Sequence, residues 1–467
     1  MRTALKYSIV VLSLLLASSA ARAQDALPAD VRANIDRAAA EVLDATGSPS
    51  ASMAIVRDGR IVYVHAYGHA RLDPNLDAKP EMRYSVGSIS KQFTAAAILM
   101  LAEDGKLTLD DPVARWLPEL TRAKDVTVRQ ILTMTSGYQD FWPEDYVMPP
   151  MLLPTDAQKI LAAWAMKPLD FEPGTKWQYS NTNYVVAGVI VEKASGMPLV
   201  DFLQKRVFTP LGMSSVTNTD QAALPAADPG GYLRYALGPS RPAPKEGKGW
   251  MFAAGELAMT ARDLALWDIS MINQSVLKPA SYAAMQTTML LKNGVSTGYG
   301  LGVSVASAGG RRQISHTGEV SGFTGRNDVY PDERTAIAVL TNLDATGASS
   351  QIVTRISTLL FRTSDAETDR AVAQAKAIFE GLQHGRIDRS LLTSNTSAYF
   401  TEQALADFAS SLGPLGTPDS FEQVGQSLRG GMTFRQFRIA FAKKTLRLTT
   451  FTMADGKLEQ YQVASAE

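Results

Sequence analysis

Residues Ser85-Val86-Gly87-Ser88-Ile89-Ser90-Lys91-Gln92-Phe93-Thr94 lead straight into Ala95-Ala96-Ala97-Ile98-Leu99-Met100-Leu101, an uninterrupted run of helix-forming residues. The run predicts a helix and sets Ser88 and Lys91, three positions apart, on one face at its N-terminus. A serine hydroxyl is a poor nucleophile until a neighbouring group takes its proton. An amine one helical turn away does so once burial depresses its pKa. The helix N-terminus adds free backbone N–H groups and partial positive charge where an oxyanion would develop during acyl transfer. The spacing by itself is weak, since Ser275-Val276-Leu277-Lys278 repeats it. That second match lies between Asn273 and Pro279 and reads as a loop.

Two later segments carry compatible chemistry. Tyr179-Ser180-Asn181 follows the turn residues Pro173-Gly174 and precedes an apolar helix from Val185 to Ala194. The phenol can act as general acid or base if a cation favours phenolate, and the amide can orient both the lysine and a substrate carbonyl. The plainer reading is a buried tyrosine beside a helix-capping asparagine. His316-Thr317-Gly318 follows the predicted strand Arg312-Gln313-Ile314-Ser315. It could line one wall of a cleft, with glycine permitting close backbone approach, or form a strand-end turn.

Taken in order, the three motifs resemble the signature of the serine β-lactamase and penicillin-binding-protein superfamily: Ser-x-x-Lys, then Tyr-x-Asn or Ser-x-Asn, then Lys-Thr-Gly. The Tyr-x-Asn form is similar to the class C-like branch of class C β-lactamases, D-alanyl-D-alanine peptidases, D-aminopeptidases and related esterases. Ser52 to Tyr67 with its Asp58-Gly59 turn, Ile131 to Gly137, Ala253-Ala254-Gly255 through Asp263-Leu264, and Gly318 through Asn342 resemble the same branch. The likeness spans about residues 30 to 362. It implies an α+β fold, an antiparallel sheet packed with helices plus a mainly helical subdomain, with a catalytic cleft between the layers.

The resemblance also implies roles. Ser88 attacks an acyl carbonyl to give an acyl-enzyme that water hydrolyses, while Lys91 and Tyr179 shuttle the protons. Asn181 holds the substrate amide and fixes Lys91. The backbone N–H groups of Ser88 and Glu319 form the oxyanion hole, and His316, Thr317, Gly318 and Glu319 flank the substrate. The expected substrate is a small-molecule or short-peptide acyl donor, handled by a D,D-peptidase, D-aminopeptidase or esterase. Two alternatives are a β-lactamase and a penicillin or peptidoglycan sensor that binds without turnover. His316 stands where true β-lactamases carry lysine, and a neutral imidazole holds a substrate carboxylate less firmly than an ammonium. Glu319 brings negative charge to the oxyanion position unless its side chain turns outward. Met134, where the branch often has histidine, reads as a packing residue.

Composition narrows the rest. Lysine and arginine number 46 against 46 aspartate and glutamate, so no global field would recruit nucleic acid or an anionic membrane. There are no cysteines, and the four histidines are too scattered for an evident metal site, so no cofactor is expected. His65 and His69 fall in a strand-like stretch as ordinary surface or half-buried residues. Arg2 and Lys6 precede an apolar run from Ile9 to Ala17, followed by Ala21-Arg22-Ala23. This predicts a signal peptide over residues 1–23 cleaved near Ala23-Gln24, hence an exported, periplasmic or secreted protein without stable membrane insertion. The hydrolase domain is then read over residues 24–362, a polar linker over 363–369, and a small α+β accessory domain over 370–467. In that last part, helices are expected from Arg370 to Leu382 and Thr401 to Leu412. Strands around Phe437 to Phe441, Leu446 to Leu448 and Leu458 to Val463 follow, with Asp455-Gly456 as a hairpin turn. The oligomeric state is left open.

Overall fold

In this computed structural model, which describes residues 27–361 and 366–466, the first element is helix α1 (Ala29–Thr46). No element is legible there in the sequence, because Pro28 stands at the capping position and no side chain caps the start. Asp58 and Gly59 adopt left-handed φ angles of 51° and 72°. Their tight turn folds β1 (Ser50–Arg57) back on β2 (Arg60–Leu72), the hairpin that the Asp-Gly pair predicts. A short β3 (Asn75–Asp77) flanks it. The helical middle follows, including α2 (Ser90–Glu103), α3 (Asn181–Ser195) and α4 (Ala261–Asn273). Shorter helices occupy Val128–Leu132, Ala157–Ile160 and Leu199–Leu203. The chain then returns through β4 (Ser304–Ala308), β5 (Arg311–Val320), β6 (Phe323–Tyr330) and β7 (Thr335–Thr341) to helix α5 (Ala348–Leu360).

These strands form one sheet in the order β3-β2-β1-β7-β6-β5-β4. Every neighbouring pair is antiparallel. The strands farthest apart in sequence meet at its centre, where Ala54 of β1 faces Ala338 of β7. Both central strands are apolar on both faces, so the sheet is covered twice. Met53, Ile55, Ile337 and Val339 pack with Ile35, Val42, Ile352 and Ile356 of α1 and α5. The alternate residues Ala54, Val56, Ala336, Ala338 and Leu340 join the larger core of the helical middle. Helix α2 lies inside that core, with every residue from Ser90 to Leu101 buried.

The chain divides into two compact units after Phe361. In the second, helices at Ala366–Gln383, Ser394–Tyr399 and Glu402–Leu412 precede a four-stranded antiparallel meander. Its strands, β8 (Ser420–Arg429), β9 (Met432–Phe441), β10 (Lys444–Thr452) and β11 (Leu458–Ser465), pair in chain order. The first helix starts at Ala366, so the segment read as linker is helical from that residue. Its polar composition concealed an amphipathic helix whose Ile378 and Phe379 join the core of this unit. Strand β8 is not legible in the sequence because most of its residues are exposed or half-buried. The predicted signal peptide, its cleavage point and Thr363-Ser364-Asp365 lie outside the described residues.

Ile337 is fully buried in the central strand between α1 and α5. Ile337→Ala is expected to lower the stability of the first unit by about 3 kcal/mol, read as a lower denaturation midpoint.

Candidate active site

Gly87 takes φ 51°, and Gly87–Ile89 make a single 3₁₀ turn that passes into α2 at Ser90. Ser88 is half-buried on this turn, and Lys91, one turn further, is fully buried. The Lys91 Nζ lies 2.8 Å from Ser88 Oγ, 2.8 Å from Asn181 Oδ1 and 2.8 Å from the Ala254 carbonyl oxygen. Asn181 and Ala254 can only accept at those atoms, so the deprotonated amine directs its two hydrogens to them and its lone pair to the serine hydroxyl. Burial depresses the Lys91 pKa from the ordinary 10.5 to about 7, with the Asp140 carboxylate pulling weakly the other way. The amine is therefore poised as a base near neutral pH.

The segment that supplies Ala254 is stitched to α2 at successive points. Thr94 Oγ1 donates to the Ala253 carbonyl at 2.8 Å, and Ser90 Oγ accepts from the Leu257 N–H at 3.3 Å. Tyr179 brings its phenol into hydrogen-bonding contact with Ser88, and its ring centroid lies 5.0 Å from the Lys91 Nζ. Burial raises the phenol well above its ordinary value, outweighing the contact with Ser88. The condition attached to Tyr179 in the sequence, a cation strong enough to favour phenolate, is not met. The phenol keeps its proton and suits the acid role.

Strand β5 closes the other side. A Cβ on Gly318 would fall 1.9 Å from the Val86 carbonyl oxygen, and one on Gly87 would fall 2.8 Å from the Glu319 backbone nitrogen. Only glycine at both places lets strand and turn approach this closely. The pairing of β4 with β5 stops at Ser304 and Ser315, so β4 does not cover the strand from His316 onward. The Glu319 backbone nitrogen is thus brought against the turn that carries Ser88. The Glu319 carboxylate turns away and accepts the Ala345 N–H at 2.7 Å.

Asn181 and Glu319 line the cleft with Ser88 and Tyr179, whereas His316, Thr317 and Gly318 do not. His316 is buried within β5. Its Nδ1 lies 2.5 Å from the Thr317 carbonyl oxygen and must donate there, leaving Nε2 to accept from the Tyr299 hydroxyl at 2.8 Å. Both nitrogens are engaged, so the side chain backs Tyr179, 6.4 Å between ring centroids, and has no free atom for a substrate. Burial, and secondarily the nearby Lys91, push the imidazole down to about 4, so it is neutral at pH 7. Thr317 is exposed on the alternate side of the strand. Gly318 acts through the space it leaves. Met134 is fully buried, and its sulfur accepts from the Ser180 N–H and the Asn183 amide, each at 3.5 Å, which makes it a packing support beneath the Tyr179 segment.

The cleft encloses about 300 Å³. One of its principal residues, Asp140, is not legible in the sequence. It accepts the Asn181 N–H at 2.8 Å and the Trp142 N–H at 3.2 Å, and its second oxygen lies 3.4 Å from Asn181 Nδ2. The sequence carried no signal for it, because Ser180, ordinarily a capping residue, stands at the N-cap of α3, and only the structure shows that its side chain makes no cap. Phe141, Trp142, Tyr146 and Trp250 supply aromatic walls. Among the described residues, no group of three or more histidine, aspartate or glutamate side chains is placed to hold a metal ion.

The family described as Beta-lactamase matches residues 35–357. The chain belongs to the beta-lactamase family. This beta-lactamase-family chain is 27% identical over 336 residues to a D-aminopeptidase of Brucella anthropi, covering 70% of this chain and 62% of that protein. It thus spans less than two thirds of that relative's length. Penicillin-binding protein 4* of Bacillus subtilis is 27% identical over 366 residues, covering 74% of this chain and 80% of that one. Among solved structures, a D-stereospecific amidohydrolase from Streptomyces superposes with a TM-score of 0.62 at 28% identity, over 71% of this chain and 99% of the other. An octameric penicillin-binding protein homologue from Pyrococcus abyssi shares the fold, with a TM-score of 0.64 at 21% identity, over 93% of this chain and 96% of the other.

For this family member the direction of the Lys91 shift fixes a pH response. The base form is lost below the depressed pKa, so kcat/KM for a neutral ester should rise about tenfold per pH unit on the acid side and level off above about 7. A flat profile from pH 5 to 8 would contradict Lys91 as base. Gly318→Ala should wedge β5 from the Ser88 turn. The expected result is a loss of about 2 kcal/mol in stability and at least about 100-fold in kcat/KM, read on protein shown folded by circular dichroism.

Proposed function

We propose that this protein is an exported serine hydrolase that cleaves amide or ester bonds of small acyl donors through an acyl-enzyme on Ser88. The carrying observation is the buried Lys91 amine, in hydrogen-bonding contact with both Ser88 and Asn181 beside a protonated Tyr179. Lys91 takes the Ser88 proton as Oγ bonds to the acyl carbon, and the N–H groups of Ser88 and Glu319 receive the developing oxyanion. Tyr179 protonates the leaving nitrogen or oxygen and regains its proton from Lys91. Water then hydrolyses the ester bond to Ser88, so one water is consumed and an acid and an amine or alcohol are released. The names of a D-aminopeptidase and a D-stereospecific amidohydrolase among its relatives support an amide-cleaving role. Export rests on the basic and apolar N-terminus ending in Ala21-Arg22-Ala23. The residues after the polar segment at 363–369 are assigned an accessory, stabilising role.

Efficient β-lactam hydrolysis is the weaker reading. A β-lactam presents a carboxylate, yet His316 is neutral and engaged, and no lysine or arginine lines the cleft. Intact Ser88, Lys91, Tyr179 and Asn181 weigh against a sensor without turnover. Intact-protein mass spectrometry during p-nitrophenyl ester turnover should show a transient adduct on Ser88. Ser88→Ala should lose it together with at least about 1,000-fold of the rate. Turnover retained in a folded Ser88→Ala protein would overturn the mechanism.

A further inference from the structure

The cleft has a charge pattern that the catalytic steps do not use. Asp140, Glu144, Asp145, Glu319 and Asp344 all line it, with no lysine or arginine among the lining residues. Glu319 is held against the negative charges of Asp145 and Asp344, which raise its carboxyl pKa beyond the effect of burial. The whole chain carries equal numbers of acidic and basic residues, so this imbalance belongs to the cleft.

Within the pattern Asp140 stands nearest the chemistry. Asn181 bridges it to the base: Oδ1 of that amide accepts from Lys91, while its backbone N–H donates to Asp140. Asp140 is largely buried, and among the described residues its hydrogen bonds come from the Asn181 and Trp142 N–H groups and, more weakly, the Asn181 amide; Lys91 acts on it through space, without a hydrogen bond between them. A largely buried carboxylate on the wall of an open cleft, bonded only to neutral donors, is a site for a positive group. The adjoining Phe141, Trp142, Tyr146 and Trp250 add aromatic faces that accept a cation or an apolar side chain. Trp142 is itself fixed, donating from Nε1 to the Tyr146 carbonyl at 3.0 Å.

A substrate whose carbonyl carbon bonds to Ser88 Oγ carries its α-substituents on the adjoining carbon, within the cleft that Asn181 and Asp140 line. We propose that Asp140 is a specificity-determining residue that binds the free α-ammonium group of the acyl half of the substrate. The site then acts at the amino end of amino acid amides and short peptides, with the aromatic wall receiving the adjoining side chain. Donors with a blocked amine, or with a carboxylate near the scissile bond, are disfavoured by the same charges. This rests on the acyl-enzyme reading above and adds the charge of the substrate and the residue that selects it.

The test uses the purified full chain at pH 7 with three kinds of probe: D- and L-phenylalanine p-nitroanilide, their N-acetyl derivatives, and the neutral p-nitrophenyl acetate. The expected result is turnover of the neutral ester and at least a tenfold higher kcat/KM for one free-amine anilide over its acetylated form, carried mostly by KM. In Asp140→Asn that ratio should fall to about threefold or less. Asp140→Ser, which keeps an acceptor for the Asn181 N–H without the charge, serves if the first variant does not fold. A native protein that cleaves the ester but shows no preference for the free amine overturns the inference and leaves the acyl-enzyme intact. Preference retained in the folded variants removes Asp140 from the role. Inertness toward all three probes overturns both readings.

Discussion

The burial of the Lys91 amine between Ser88, Asn181 and the Ala254 carbonyl is the interaction on which the rest of the site depends. An ammonium removed from water is costly unless its donors are all met, and an amine in the same place is favoured by each increment of burial. The protein uses both facts. Three acceptors hold the charged form well enough for folding, while the apolar surroundings bring the pKa to about 7, where the proton is easily surrendered and regained. The same burial acts in the opposite direction on Tyr179, keeping its proton in place. One environment therefore separates base from acid.

Holding Lys91 in that position requires α2 to be fixed in rotation and depth. A buried polar chain does this behind the site: Trp267 Nε1 donates to Gln92 Oε1 at 2.9 Å, Gln92 Nε2 donates to Asn327 Oδ1 at 2.8 Å, and Asn327 Nδ2 donates to Asp268 Oδ1 at 2.6 Å. It ties α2 to α4 and to strand β6, so the helix cannot turn without leaving buried groups unmet. In front, Gly87 and Gly318 remove the side chains that would keep β5 from the Ser88 turn. The network and the two glycines act on opposite sides of the same residue. Precision at Ser88 comes from this convergence, because each support is itself part of the sheet or the core.

The cleft places that machinery in an acidic setting. Carboxylates near an oxyanion hole oppose the developing charge unless they are turned aside, and Glu319 is turned aside by its bond to Ala345. On the proposed reading the acids act on the substrate's own charge, while the histidine of the third motif faces inward to Tyr299. The proposed chemistry and selectivity are divided between α2 with β5 on one side and the Asp140 loop on the other. Loops can vary in charge while the scaffold preserves the reacting geometry.

How much was legible in the chain depends on the range of the interactions involved. The local arrangement at Ser88 and Lys91, the Asp58-Gly59 hairpin and the helix after Asn181 follow from spacing, turn chemistry and apolar pattern, which act between near neighbours. The order of the three motifs carried the family. The tertiary structure alone decided that β1 pairs with β7 and that Asp140 meets α3. It also decided that His316 is spent on Tyr299 and that Glu319 faces Ala345. Each of these joins residues distant in sequence or depends on where a side chain points once its strand is packed. A sequence states which groups are available. Only the closed fold settles which of them are removed from water, and burial is what sets the proton affinities of Lys91, Tyr179 and His316 apart.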